Sequence, residues 1–277
     1  MRLFILIVLL LAPASSFAKL QIFACEPEWA ALSAALAGDQ ADIFTATTAR
    51  QDPHHIEARP SLIARMRNAD LVVCSGAELE TGWLPLLLRS SANPKVQVNQ
   101  PGYFEAALQV ERLDIPAQLD RSAGDVHSQG NPHVHLDPHR LLKIGAALSA
   151  RLQAIDADNA DGYRQRLQQW SADFSGAIAQ WEQQAATLRG RKVVVYHDNW
   201  KYLVEWLQLK QVATIEPKPG IPPSGADQKR LLETLNADKP AAILVAAFEN
   251  AKAAHWLGEK MQVPVIVLPF TVGGDEQ

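Results

Sequence analysis

The sequence predicts an α/β protein: two open α/β domains with mainly parallel sheets, joined by one long rigid linker helix. Three observations predict it. Short apolar runs alternate with amphipathic stretches from Leu20 onward, the alternation restarts after Gly190, and a segment with purely helical spacing separates the two series. A chain of 277 residues also exceeds the usual size of one compact core.

The chain opens on an address. Arg2 gives a positive start, residues 3–12 are apolar, and Ser16-Phe17-Ala18 offers the small residues that a signal peptidase reads, so a leader over 1–18 and export of a soluble mature chain are expected. The apolar run is shorter than the roughly 20 residues that span a bilayer. A lipid-anchored alternative would need a cysteine directly after that run, whereas Cys25 lies beyond Lys19.

In the first alternating series, strands are expected near 20–25, 42–46, 71–74 and 95–98, with helices near 27–37, 60–68 and 78–88. In the second, strands are expected near 192–196, 211–215, 241–245 and 265–268, with helices near 199–209, 224–235 and 250–260. Between them Tyr163, Leu167, Trp170, Phe174, Ile178, Trp181 and Leu188 recur mostly at spacings of three and four. One helix over 158–188 would be about 45 Å long and would brace both domains; two shorter helices split at Gly176 are the alternative. The division is therefore a leader at 1–18, an N-terminal α/β domain at 19–156, the linker helix at 157–189 and a C-terminal α/β domain at 190–277. No closing helix follows the final strand before Gln277, so a C-terminal truncation is expected.

Lys and Arg number 26 against 30 Asp and Glu, and no basic patch argues for nucleic acid. Cys25 and Cys74 each end an apolar run. Neighbouring parallel strands would place them side by side, as a disulfide or as two buried thiols.

Chemistry is concentrated in histidine. Seven of the eight fall into three clusters: His54 and His55; His127, His133, His135 and His139; and His197. Neutral imidazole is the commonest ligand for divalent transition metals, and distant segments imply a site assembled by the fold. His197 directly follows a strand, at the carboxyl edge where open α/β sheets collect ligands, with Asp198 or a nearby carbonyl available to fix its tautomer. His54 and His55 follow a turn at Asp52-Pro53, and only one of two adjacent residues faces inward. His133 and His135 would share a face of an extended stretch, so either is a candidate. Residues 118–131 read as a mobile polar loop that carries His127. His139 is expected on the surface of a first helical turn, and His255 as structural or solvated.

The chain resembles the periplasmic solute-binding proteins of zinc and manganese ABC importers, cluster A-I, over about residues 20–275. The resemblance is carried by Asp52-Pro53-His54, by Pro132-His133-Val134-His135-Leu136 and by Tyr196-His197-Asp198-Asn199-Trp200-Lys201-Tyr202. It implies His54, His133 and His197 as metal ligands, and two α/β domains joined by a long helix. It also implies an acidic fourth ligand after the last strand. The aligned position here is Val272, so Asp275, which Gly273-Gly274 would let turn inward, is the expected donor, with Glu276, water or His127 as alternatives.

Three imidazoles and a carboxylate suit Zn2+ in a tetrahedral site, while hard ions prefer oxygen shells. Manganese is the alternative metal. The expected protein is a monomer and not an enzyme, and it captures zinc between its domains and presents it to the membrane permease of an ABC importer with its ATPase. A periplasmic zinc buffer and a zinc hydrolase are the rivals; the latter lacks a His-Glu-x-x-His helix.

Overall fold

The computed structural model describes residues 18–117, 124 and 127–275, so the expected leader lies outside it except for Ala18. Two four-stranded sheets are present, and every strand pairing in both is parallel. The first holds β1 (Leu20–Ala24), β2 (Ala41–Thr45), β3 (Leu71–Cys74) and β4 (Tyr103–Glu105) in the order β2-β1-β3-β4. The second holds β5 (Lys192–Val195), β6 (Lys210–Thr214), β7 (Ala242–Ala246) and β8 (Val265–Leu268) in the order β6-β5-β7-β8. Each sheet thus starts in its middle and reverses direction beside its first strand. A crevice opens at the carboxyl ends where such a reversal occurs.

Two-residue alternation sorts the first sheet's side chains into two cores. Ile22, Ala24, Leu71 and Val73 face a cluster with α1 (Pro27–Ala37), α4 (Pro138–Ile155) and the start of α5 (Ala160–Ala185). Phe23, Cys25, Val72 and Cys74 face the opposite cluster, closed by α2 (Pro60–Asn68) and α3 (Leu84–Ser91). Ala24 pairs with Val73, so the next residues on both strands stand side by side, and Cys25 and Cys74 form a disulfide with Cα atoms 4.8 Å apart. The second sheet repeats the scheme with α7 (Gly225–Leu235) and α8 (Lys252–Met261) on one face. Its other face packs on Trp200, Phe270 and α6 (Lys201–Trp206).

α5 runs unbroken through Gly176, and its 26 residues give a length of about 39 Å. Short 3-10 turns at Ala157–Asn159 and Ala186–Leu188 extend it at both ends. It is fastened to the first unit by Trp170, which lies where a Cβ on Gly145 would come within 2.4 Å, and by Arg166 Nε donating to the Leu36 carbonyl at 2.8 Å. Its far end reaches α6 through an edge contact of Trp181 on Trp206. No helix among the described residues is long and apolar enough to cross a membrane.

Two elements depart from expectation. The strand expected at 95–98 is absent, because Asn93 caps a 3-10 turn at Pro94–Val96 and accepts from the Lys95 amide. The fourth strand comes later, at Tyr103–Glu105, and Gly102 admits it: a Cβ there would lie 2.5 Å from the carbonyl oxygens of Asp70 and Lys95. The helix expected over 78–88 begins only at Leu84. Gly76, Ala77 and Glu78 instead form a left-handed run with φ of 73, 48 and 71°. For Ala77 and Glu78 that conformation costs about 1–2 kcal/mol each. The buried Glu80 carboxylate holds the run in place by accepting from the amides of Ser75 at 2.8 Å and Gly76 at 3.1 Å.

Candidate metal centre

Three Asx-Pro-His tripeptides stand in the chain, at residues 52–54, 131–133 and 137–139. In each, an oxygen of the Asx side chain accepts the backbone N–H of the histidine two residues on, at 3.0, 3.1 and 2.8 Å. The intervening proline has no N–H to compete for that oxygen. In the first two tripeptides the same oxygen also meets the ring: Asp52 Oδ1 lies 2.7 Å from His54 Nδ1, and Asn131 Oδ1 2.9 Å from His133 Nδ1. The motif therefore fixes backbone, ring and tautomer at once. In the third, the ring turns away and His139 Nε2 bonds Glu182 on α5 at 2.7 Å.

His197 leaves the carboxyl end of β5. Its Nδ1 lies 2.7 Å from Glu216 Oε2, not from Asp198, whose Oδ1 accepts from Gln211 at 2.6 Å. Glu216 follows β6 as His197 follows β5, and the pairing of the two strands continues through Glu216 N to Tyr196 O at 3.1 Å. Two remote positions become neighbours through sheet order alone, a relation invisible in sequence spacing.

Acceptors on all three Nδ1 atoms leave the Nε2 lone pairs as the available donors. His127 joins them, with its Nε2 3.2 Å from that of His54. The rings of His54 and His127 are 5.3 Å apart, His54 and His197 5.6 Å, His54 and His133 5.7 Å, His133 and His197 6.2 Å, and His127 and His133 6.3 Å between centroids. Zinc about 2.0–2.1 Å from each nitrogen would set tetrahedral donors about 3.3 Å and ring centroids about 5.2 Å apart. The observed spacings start at those values and run slightly beyond them.

Electrostatics suit a cation. Burial opposes charge on the His133 ring, as do the neighbouring imidazoles, and its pKa lies well below the usual value. Burial also opposes charge on His197, but the bond to the Glu216 carboxylate outweighs it and the pKa is raised. Burial disfavours an ionised Asp52, yet the His54 bond keeps its carboxyl below the usual range. Glu249, raised to about 7 mainly by burial, stands behind Asn199, which donates to it at 3.1 Å. Asp114 and Asp198 line a cavity of about 110 Å³ that opens onto His127, His133 and His197.

The two lobes meet around these rings. Tyr202, buried in the first unit's core, donates its hydroxyl to the Asn131 carbonyl at 2.6 Å, and Asn131 Nδ2 donates to the Asp198 carbonyl at 2.8 Å. Phe270 of the second lobe packs edge-on against His133 at 5.5 Å and His135 at 5.0 Å. His135 itself points elsewhere, because a 3-10 turn at Val134–Leu136 replaces the extended stretch expected there. Its Nε2 meets the Phe270 carbonyl at 3.1 Å, and its Nδ1 lies 3.3 Å from Glu28 without hydrogen-bond alignment. Of the other expected site residues, Asp275 is exposed in the last described turn and enters no hydrogen bond or ion pair among the described residues. Glu276 and most of 118–126 lie outside the described residues. His55 and His255 are exposed. Cys25, Cys74 and Glu80 also lie close together, but the sulfurs are committed to the disulfide.

The chain is 27% identical over 241 residues to the zinc-binding lipoprotein AdcA of Streptococcus pneumoniae strain R6, an alignment covering 84% of this chain and 46% of that protein. It therefore spans about half the length of that relative. It is 23% identical over 262 residues to the manganese ABC transporter substrate-binding lipoprotein PsaA of Streptococcus pneumoniae, covering 93% of this chain and 81% of PsaA. A crystal structure of ZnuA superposes with a TM-score of 0.77 at 21% identity, over 92% of this chain and 93% of that one. The model of the family described as ZnuA, zinc-uptake complex component A, periplasmic, matches residues 22–277, and the chain belongs to that family.

Proposed function

We propose that this protein captures a divalent transition-metal ion, Zn2+ foremost, between its two lobes outside the cytoplasm and delivers it to the permease of an ABC importer. One observation carries the reading: imidazole rings from both lobes stand together, with centroids 5.3–6.3 Å apart, and the Nδ1 atoms of His54, His133 and His197 each meet an oxygen. His54 and His133 come from the first lobe and His197 from the second, with His127, whose Nε2 lies 3.2 Å from that of His54, as the fourth donor in place of the exposed Asp275. The division of labour follows the chain, with a capture unit at 19–156, a brace at 157–189 and a closing unit at 190–277. Nitrogen-rich coordination suits zinc better than manganese, which favours oxygen donors; the PsaA relative makes manganese the second reading. The family is one of uptake components, which favours import over a zinc hydrolase.

The test is a competition titration of the full chain against a chromophoric chelator, with Zn2+ and then Mn2+. Tight, equimolar zinc binding that His197→Ala abolishes supports the reading, and preference for Mn2+ would move it to the second metal. Co-purification of the zinc-loaded chain with the cognate permease and ATPase tests delivery, and its absence would leave a metal buffer.

A further inference from the structure

The left-handed run at Gly76, Ala77 and Glu78 has a beneficiary on the far side of a cavity. Glu78 reaches out from it and takes Ser128 with both carboxylate oxygens, Oε2 accepting the Ser128 amide at 2.5 Å and Oε1 the Ser128 hydroxyl at 2.6 Å. The amide so held belongs to the peptide that links Ser128 to His127. Because that peptide is planar, fixing its N–H also fixes the direction in which the His127 Cα sits. His127 is the residue whose Nε2 stands 3.2 Å from that of His54. Glu78, His54 and His127 line the same cavity, of about 340 Å³.

We infer that Glu78 is a positioning residue for the fourth metal donor: it seats His127 against His54 by clamping Ser128, without itself binding the ion. This rests on the metal-binding reading above. Two features separate clamping from ligation and from simple folding. Both Glu78 oxygens are engaged by Ser128, so neither is left aimed at the ring cluster. The turn also has other ties, Gly130 N donating to His127 O at 3.1 Å and Arg112 Nε to Gln129 O at 2.5 Å, so the segment does not depend on Glu78 to fold. A helix in regular conformation from residue 78, as the sequence predicts, would not present this carboxylate in the same place. The backbone distortion and the clamp thus belong to one arrangement.

The experiment uses the full chain with Zn2+ in chelator competition, and Co2+ as a spectroscopic stand-in, on Glu78→Gln, His127→Ala and the double variant. Glu78→Gln is expected to weaken zinc about tenfold, the lower end of outer-shell effects, and to weaken it no further in the His127→Ala background. Its Co2+ visible band should shift toward that of His127→Ala, because one nitrogen donor is lost in both. Ser128→Ala should show a smaller loss in the same direction. Unchanged affinity in Glu78→Gln, or an equal loss with and without His127, would overturn the inference, the latter by showing that Glu78 acts independently. So would His127→Ala that binds as tightly as the parent, which leaves a three-histidine site intact. If His197→Ala also retains full affinity, the underlying site fails rather than the clamp alone.

Discussion

The two lobes share one strand order and differ in how they use it. In the first, edge strand β4 centres on buried Phe104 and is followed by buried Ala106, and a disulfide ties the ends of β1 and β3 at the crevice. In the second, the corresponding edge strand β8 leaves Ile266 and Val267 40% and 50% exposed. The first lobe supplies His54, His127 and His133 to the ring cluster; the second supplies His197 and the carboxylate that holds it. Parallel-sheet topology therefore decides where a site can form, and the loops decide how many donors each lobe brings. One lobe brings three rings to the cluster, and the other brings one.

The largest effect expected of this asymmetry is at His197. Its replacement by Ala removes the second lobe's whole contribution, and zinc affinity should fall by well over the roughly 10–100-fold typical of an outer-shell change. A smaller loss than for Glu216→Ala, measured in the same competition titration, would break the comparison.

Next come the groups that hold the rings. Asp52→Ala and Glu216→Ala, one from each lobe, should each weaken zinc about 10–100-fold while leaving the fold intact by circular dichroism. A loss from only one of them would show that the lobes do not hold their donors in equivalent ways.

Tyr202→Phe tests the joint between lobes. It strips the Asn131 carbonyl and the Leu113 amide of their shared partner, a loss of about 1–3 kcal/mol for groups left unsatisfied. At about 2–4 °C per kcal/mol for a protein of this size, thermal unfolding should register it. An unchanged midpoint would mean that solvent replaces the hydroxyl.

A subtler effect lies in the first lobe. Burial and the adjacent Glu80 raise the Glu26 carboxyl well above its ordinary pKa, and burial lifts Glu80 to about 8. Folded-state values above the unfolded ones mean that this pair's stabilising share is complete below about pH 4.5 and is lost as pH rises through about 8. The parent's unfolding midpoint should therefore fall between about pH 6 and pH 9. Glu26→Gln, an uncharged stand-in for the protonated acid, should flatten that slope, and a parallel decline in both proteins would refute the assignment.

How much of this was legible follows from which interactions are local. Alternation and helical spacing located the α/β series and α5, and Asp52-Pro53 marked a turn before His54, because each depends on neighbours a few residues apart. The fourth strand was misplaced because three residues, Tyr103–Glu105, carry too little pattern to stand out, and pairing with β3 decides them. The expected helix over 78–88 failed at its start because the Glu80 carboxyl folds back onto the Ser75 and Gly76 amides and a distant residue, Ser128, is bonded to Glu78. Glu216 was missed for the same kind of reason: only the adjacency of β5 and β6 brings it to His197. His127 stood in the sequence merely as an alternative donor, since nothing nearby in the chain reveals that Glu78 reaches its neighbour.

Whether rings from both lobes share one ion can be read from diffraction of zinc-loaded crystals of the full chain at the zinc absorption edge. The account predicts a single anomalous peak about 2.0–2.1 Å from Nε2 of His54, His127, His133 and His197. A peak bound by first-lobe donors alone, with the His197 ring out of reach, would contradict it.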